Sequence, residues 1–104
     1  MTAKEFITRF KETDEEYYFE IFREFDLEDF GLDWVGEHEY LDCTTDDEGE
    51  EYHREFTTVR FIDHNFIIQE IKTYEDSELI STKYFTAVPK EIVQIIYNAD
   101  EEII

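Results

Sequence analysis

The chain has 104 residues and carries 29 Asp and Glu against nine Lys and Arg, a formal net charge of −20, yet 17 % of it is aromatic. That length holds a single domain with one core, and ten Phe with seven Tyr exclude a disordered acidic tail, which would be poor in aromatics. Apolar runs of four residues or fewer exclude a membrane-spanning helix, and a lone cysteine, Cys43, excludes an internal disulfide.

Thr2-Ala3-Lys4-Glu5 matches a capping box, and Phe6, Ile7 and Phe10 follow at helical spacing, so the pattern predicts a helix over residues 3–12. Thr13-Asp14-Glu15-Glu16 repeats the capping pattern. Tyr18, Ile21, Phe22 and Phe25 then fall at i, i+3, i+4 and i+7, the apolar stripe of a second helix, with Tyr17 and Phe19 lying off it and a strand as the alternative. Residues 26–36, DLEDFGLDWVG, read as an irregular connection whose Leu27, Phe30, Leu32 and Trp34 pack on the core.

From residue 37 the texture turns to β. HEYLDCTT, EYHREFTTVRFI, FIIQEIKTY and LISTKYFTAV are rich in Thr, Val, Ile, Phe and Tyr, and are separated by turn-forming DDEG, DHN and EDSE. Pro89 suits the first position of a last helix, PKEIVQIIYNADEE, with Ile92, Ile95, Ile96 and Ala99 facing inward. The expected fold class is α+β: two N-terminal helices, a four-stranded antiparallel β-meander, and a C-terminal helix packed on the sheet. Asp100, Glu101 and Glu102 fit this last helix badly, since acids at a helix C-terminus oppose its dipole by roughly 0.3–1 kcal/mol each.

Catalytic and metal-binding patterns are weak. With Gly49 at position 6 of a calcium loop, Asp46, Glu48 and Glu55 fall at ligand positions, but Thr44 stands where Asp is needed and the flanks read as strands, so a hairpin turn with Gly49 at positive φ is expected. His38, His53 and His64 lack zincin spacing, which leaves only a zinc site assembled by folding from His38, His53 and nearby carboxylates. Cys43 reads as a small buried apolar residue with acidic neighbours that disfavour its thiolate. No nucleophile elbow, phosphate loop or dinucleotide fingerprint occurs. The expectation is a non-enzyme without cofactor or metal.

Charge distribution is the informative feature. From Asp14 to Glu55 there are 18 acids and two bases, Arg23 and Arg54. A chain selected only for solubility interleaves both signs. Carboxylates repeating at roughly 6–7 Å along strands and helices match the spacing of phosphates along nucleic acid. The expected function is therefore an acidic inhibitor that occupies the basic nucleic-acid-binding site of a partner protein, a nuclease or DNA-binding effector, while direct binding of nucleic acid is repelled. Asp46, Asp47, Glu48, Glu50 and Glu51 at the hairpin tip are the first contact group, and Asp14, Glu15, Glu16, Glu28, Asp29 and Asp33 the second. Tyr17, Tyr40 and Tyr52 are expected to add aromatic contacts. In size and charge alone the chain is similar to small phage-encoded anti-defence proteins, the anti-CRISPR and anti-restriction DNA mimics. The alternatives are an immunity protein that neutralises a basic nuclease toxin, and a small housekeeping interaction domain. The expected compartment is the cytoplasm, from the absence of a signal-like segment in MTAKEFITRF and the single cysteine.

Overall fold

The capping box forms as its spacing dictates: Thr2 N–H donates to Glu5 Oε1 and Glu5 N–H to Thr2 Oγ1, both at 3.2 Å. These bonds to Thr2 hold the Glu5 carboxyl below its ordinary pKa. The helix they start, α1 (Ala3–Thr13), buries Phe6, Ile7 and Phe10 completely. In this computed structural model the described residues are 1–13, 17–47, 51–91 and 95–104. Asp14, Glu15, Glu16, Glu48, Gly49, Glu50 and Ile92 lie outside them.

The second N-terminal helix is not formed. Thr13 ends α1, its hydroxyl donating back to the Arg9 carbonyl at 3.1 Å instead of capping a new helix. Beyond Tyr17 and Tyr18 the chain makes only one helical turn, Ile21–Glu24. The reason is Phe19, which lies off the predicted stripe yet is fully buried. Its N–H donates to the Glu70 side chain, far off in sequence, and so is taken from any intrahelical bond. Two short 3₁₀ turns, Leu27–Phe30 and Asp33–Val35, complete the connection, each ended by a glycine at positive φ (Gly31 69°, Gly36 73°). At Gly36 an added Cβ would strike the Asp63 carboxylate, which accepts the Glu37 N–H at 2.9 Å.

The meander has five strands rather than four: β1 (His38–Asp47), β2 (Tyr52–Phe61), β3 (Phe66–Glu75), β4 (Glu78–Glu91) and β5 (Ile95–Glu102), all antiparallel and adjacent in chain order. The expected C-terminal helix is thus overturned. β4 runs on through Pro89 and turns back as β5, whose Ile95, Ile96 and Tyr97 are β-branched or aromatic. The pairing gives the second side of β4 its backbone partners, which a helix would leave unmade. Pro89 is tolerated because the β3 register on β4 ends at Thr86, so Pro89 borders β5 alone. Asp100, Glu101 and Glu102, awkward at a helix end, face no dipole in a strand.

Alternation in the ladder divides the sheet into two faces. One face carries Val59, Phe61, Ile68 and Tyr84 and is covered by α1 and the 17–36 connection. Phe61 meets Phe6, Phe22 and Phe19 at ring-centroid distances of 4.3, 5.1 and 5.7 Å, joining sheet, helix and connection. Rows such as Thr44–Phe56–Ile71–Lys83 and Asp42–Thr58–Gln69–Phe85 occupy the other face. Replacing Phe61 with Ala is expected to cost about 3–5 kcal/mol, read as a fall in the urea midpoint at unchanged slope. A loss below about 1 kcal/mol would show that the junction is not the centre of the core.

Candidate functional site

The acidic surface is built by keeping carboxylates exposed while several cations are engaged within the fold. Of the 21 acidic side chains described, 18 are exposed, two (Glu55 and Glu75) half-buried, and only Glu70 buried. Several bases lie on rings or in pairs, although only Lys72 among those described is buried. Arg9 lies 4.4 Å over the Trp34 ring, Lys11 5.1 Å from Tyr84 and Arg23 5.7 Å from Tyr40. Lys72 is 4 % exposed and bridges Glu20 and Glu55 at 3.0 and 3.3 Å. Arg60 meets Glu39 at 3.3 Å. Cations committed to rings and intramolecular pairs leave most surface carboxylates without local neutralisation.

The predicted contact residues fall into two separate groups. Asp46 and Glu51 lie beside the β1–β2 turn, whereas Asp33 precedes the opposite end of β1, about 30 Å away along ten residues of strand. Glu28 and Asp29 are exposed on the first 3₁₀ turn, with Glu28 N–H capped by Asp26 at 3.1 Å. The backbone of Asp47 closes the β1 ladder against His53. Asp46 is already paired with Arg54 at 2.9 Å, so part of its charge is used within the molecule.

The tip also holds acids that sequence reading missed. The β3–β4 turn lies beside the β1–β2 turn, with Asp76 N–H donating to the Glu51 carbonyl at 2.9 Å. This brings Glu75, Asp76 and Glu78 to the same end of the sheet. Tyr52 donates to Glu75 at 3.1 Å, which raises the tyrosine's pKa. The only signal was the EDSE turn itself, since nothing local says which turn ends a sheet shares. Asp76 and Ser77 both take positive φ (51° and 67°), as a two-residue hairpin with the sheet's twist requires. Of the three tyrosines, Tyr52 is exposed, while Tyr17 packs on Phe30 and Tyr40 lies under Arg23.

The histidines named for a folded zinc site are not brought together. His38, at the start of β1, contacts the carbonyls of Gly36 and Phe22 through its ring nitrogens at 3.1 and 3.2 Å. His53 stacks on Tyr74 near the tip, so the two histidines sit at opposite ends of the sheet. Among the described residues no group of three His, Cys, Asp or Glu is placed to hold a metal. Cys43 is exposed, not buried as its residue type predicts, because it sits on the edge strand. Its sulfur accepts a long hydrogen bond from Thr57 at 3.9 Å. Cys43, Glu20, Arg23, Phe25 and Tyr40 line a cleft of about 200 Å³ that contains no histidine. Burial, then the Cys43 contact, pushes Tyr40 up to about 12, a group that does not ionise near neutrality. Among the described residues no helix is long and apolar enough to cross a membrane.

Unpaired surface charge of this size destabilises the folded chain, and dissolved salt relieves it. Raising sodium chloride from about 10 mM to about 500 mM is expected to raise the thermal midpoint by several degrees, followed by circular dichroism. A flat or falling midpoint would mean that the carboxylates are compensated within the fold. Comparison of the chain with protein-family models, curated proteins and solved structures finds no match for it.

Proposed function

We propose that this chain is a non-catalytic acidic inhibitor that occupies the basic nucleic-acid-binding site of a partner protein, in the manner of a DNA mimic such as a phage anti-CRISPR or anti-restriction protein. The observation that carries the reading is net charge for size. Twenty net negative charges sit on a molecule of 39 × 35 × 25 Å, a charge that double-stranded DNA, at one per ~1.7 Å of axis, reaches in roughly ten base pairs. Among the described residues exposed acids stand near both ends of β1 and on the β3–β4 turn, so the charge is spread over the molecule instead of forming one knot. Association by this route is steered at long range and falls steeply with salt. Direct contact with nucleic acid is repelled by the same field. The proposed setting is a reducing cytoplasm, supported by the single exposed cysteine.

Two charge reversals test this. One variant carries Asp46, Asp47, Glu48, Glu50 and Glu51→Lys, the other Glu28, Asp29 and Asp33→Lys. Each is used with the wild type to capture proteins from nuclease-treated lysate at about 50 and 500 mM salt. The expected result is recovery of a basic nucleic-acid-binding protein that a duplex of about 20 base pairs displaces, with each reversal weakening capture at least tenfold. Loss in one variant alone would favour a compact hot spot, as in an immunity protein. A partner held equally by all three proteins at both salts would refute the proposal.

A further inference from the structure

Glu70 stands in the middle of β3 on the covered face, opposite Thr57 of β2 and Tyr84 of β4, and is fully buried. Its Oε2 accepts two hydrogen bonds, from the Phe19 N–H and the Tyr84 hydroxyl, each at 3.0 Å. Its Oε1 is buried without a hydrogen-bond partner among the described residues. An ionised carboxylate in such a place needs a paired charge or a full set of donors. Lys72, two residues along the same face, is held by Glu20 and Glu55 instead.

The surroundings reinforce the neutral form. Among the described residues titratable groups reach this region as Tyr84 from β4, Lys72 and Tyr74 from β3, Glu55 from β2, Cys43 of β1 one strand beyond Thr57, Tyr18 and Glu20 from the connection, and Lys11 from α1 over the Tyr84 ring. Two carboxylates share Lys72, and the charge of Glu20 acts against a second anion nearby. Burial therefore outweighs the Tyr84 and Phe19 hydrogen bonds and the pull of Lys72, and lifts the Glu70 carboxyl from 4.5 to about 7.

We propose that Glu70 is a proton-operated latch: protonated, it fastens residues 17–22 to the sheet through the Phe19 amide, and ionised, it drives local opening of that segment, which lets water reach Oε1. The acid's pKa is raised in the closed state, so the contribution is complete below 4.5 and is lost as pH rises through about 7. This is the reverse of a salt-bridged surface carboxylate. The latch neither requires the inhibitor reading nor supports it.

The test is amide hydrogen exchange of Phe19 by NMR at about pH 6 and about pH 8, corrected for intrinsic rates, in the wild type and in Glu70→Gln. Wild-type protection is expected to fall roughly tenfold over that range, and the Gln variant, which shares the three histidines, to stay level. Equal loss in both proteins, no loss in the wild type, or an equal loss at the Val59 and Ile68 amides would overturn the latch. Should Glu70→Gln fail to fold, carbon-13 titration of the wild-type Glu70 carboxyl decides: a midpoint near 7 supports it, and one below about 5 refutes it.

Discussion

Everything that covers the sheet meets at Phe61. Its ring touches Phe6 of the helix, Phe19 and Phe22 of the connection and Phe66 of the next strand. A 104-residue chain with about a quarter of its positions acidic has few apolar residues to spend on a core. Large rings solve this, since each buries 150–250 Å². The cluster also explains why the 17–36 stretch needs so little regular structure. Apolar anchors at Phe19, Phe22, Leu32 and Val35, each buried, fix its path where backbone hydrogen bonds do not.

The same economy governs charge. With nine cations for 29 carboxylates, full pairing is impossible, and the fold engages several of its bases in contacts of its own. Lys72 supports the covered face from beneath Glu20 and Glu55, and Arg9 and Arg23 lie on aromatic rings. What remains outside is a negative field from 18 exposed carboxylates among the described residues. Such a field is a general attractant for basic grooves, and specificity then depends on shape and on the aromatic and polar contacts within it.

How much of this was legible depended on whether the deciding contact was local. The capping box and the Phe6, Ile7, Phe10 stripe are local, and they formed. The β-forming composition of residues 51–62 is local too, and Tyr52–Phe61 is a strand. The 14–25 and 89–102 segments each carry a helical period together with a β-compatible composition, and distant partners chose between them. For the first, the partner is Glu70, which takes the Phe19 amide; for the second, the open side of β4. The layout of the candidate surface was illegible for the same reason. Asp46 and Asp33 are near in sequence but lie at opposite ends of a strand, whereas Glu51 and Asp76 are remote in sequence yet hydrogen-bonded. The unfavourable run Asp100-Glu101-Glu102 was a usable warning, because an element whose charges oppose its own dipole is poor evidence for that element.

The meander leaves two open margins, β1 and β5, each a row of backbone groups ready to accept a foreign strand. Exposed Glu39, Asp42 and Asp46 stand along one, and exposed Asp100, Glu101 and Glu102 along the other. Like charges on both margins make any strand-to-strand joining of two copies repulsive, whichever margins meet. The carboxylates that shape the field therefore also guard the protein against fibril growth. The charge part of that guard rests on ionisation, since the described residues of β1 and β5 include no lysine and no proline of their own. In an acidified compartment both margins would lose it together.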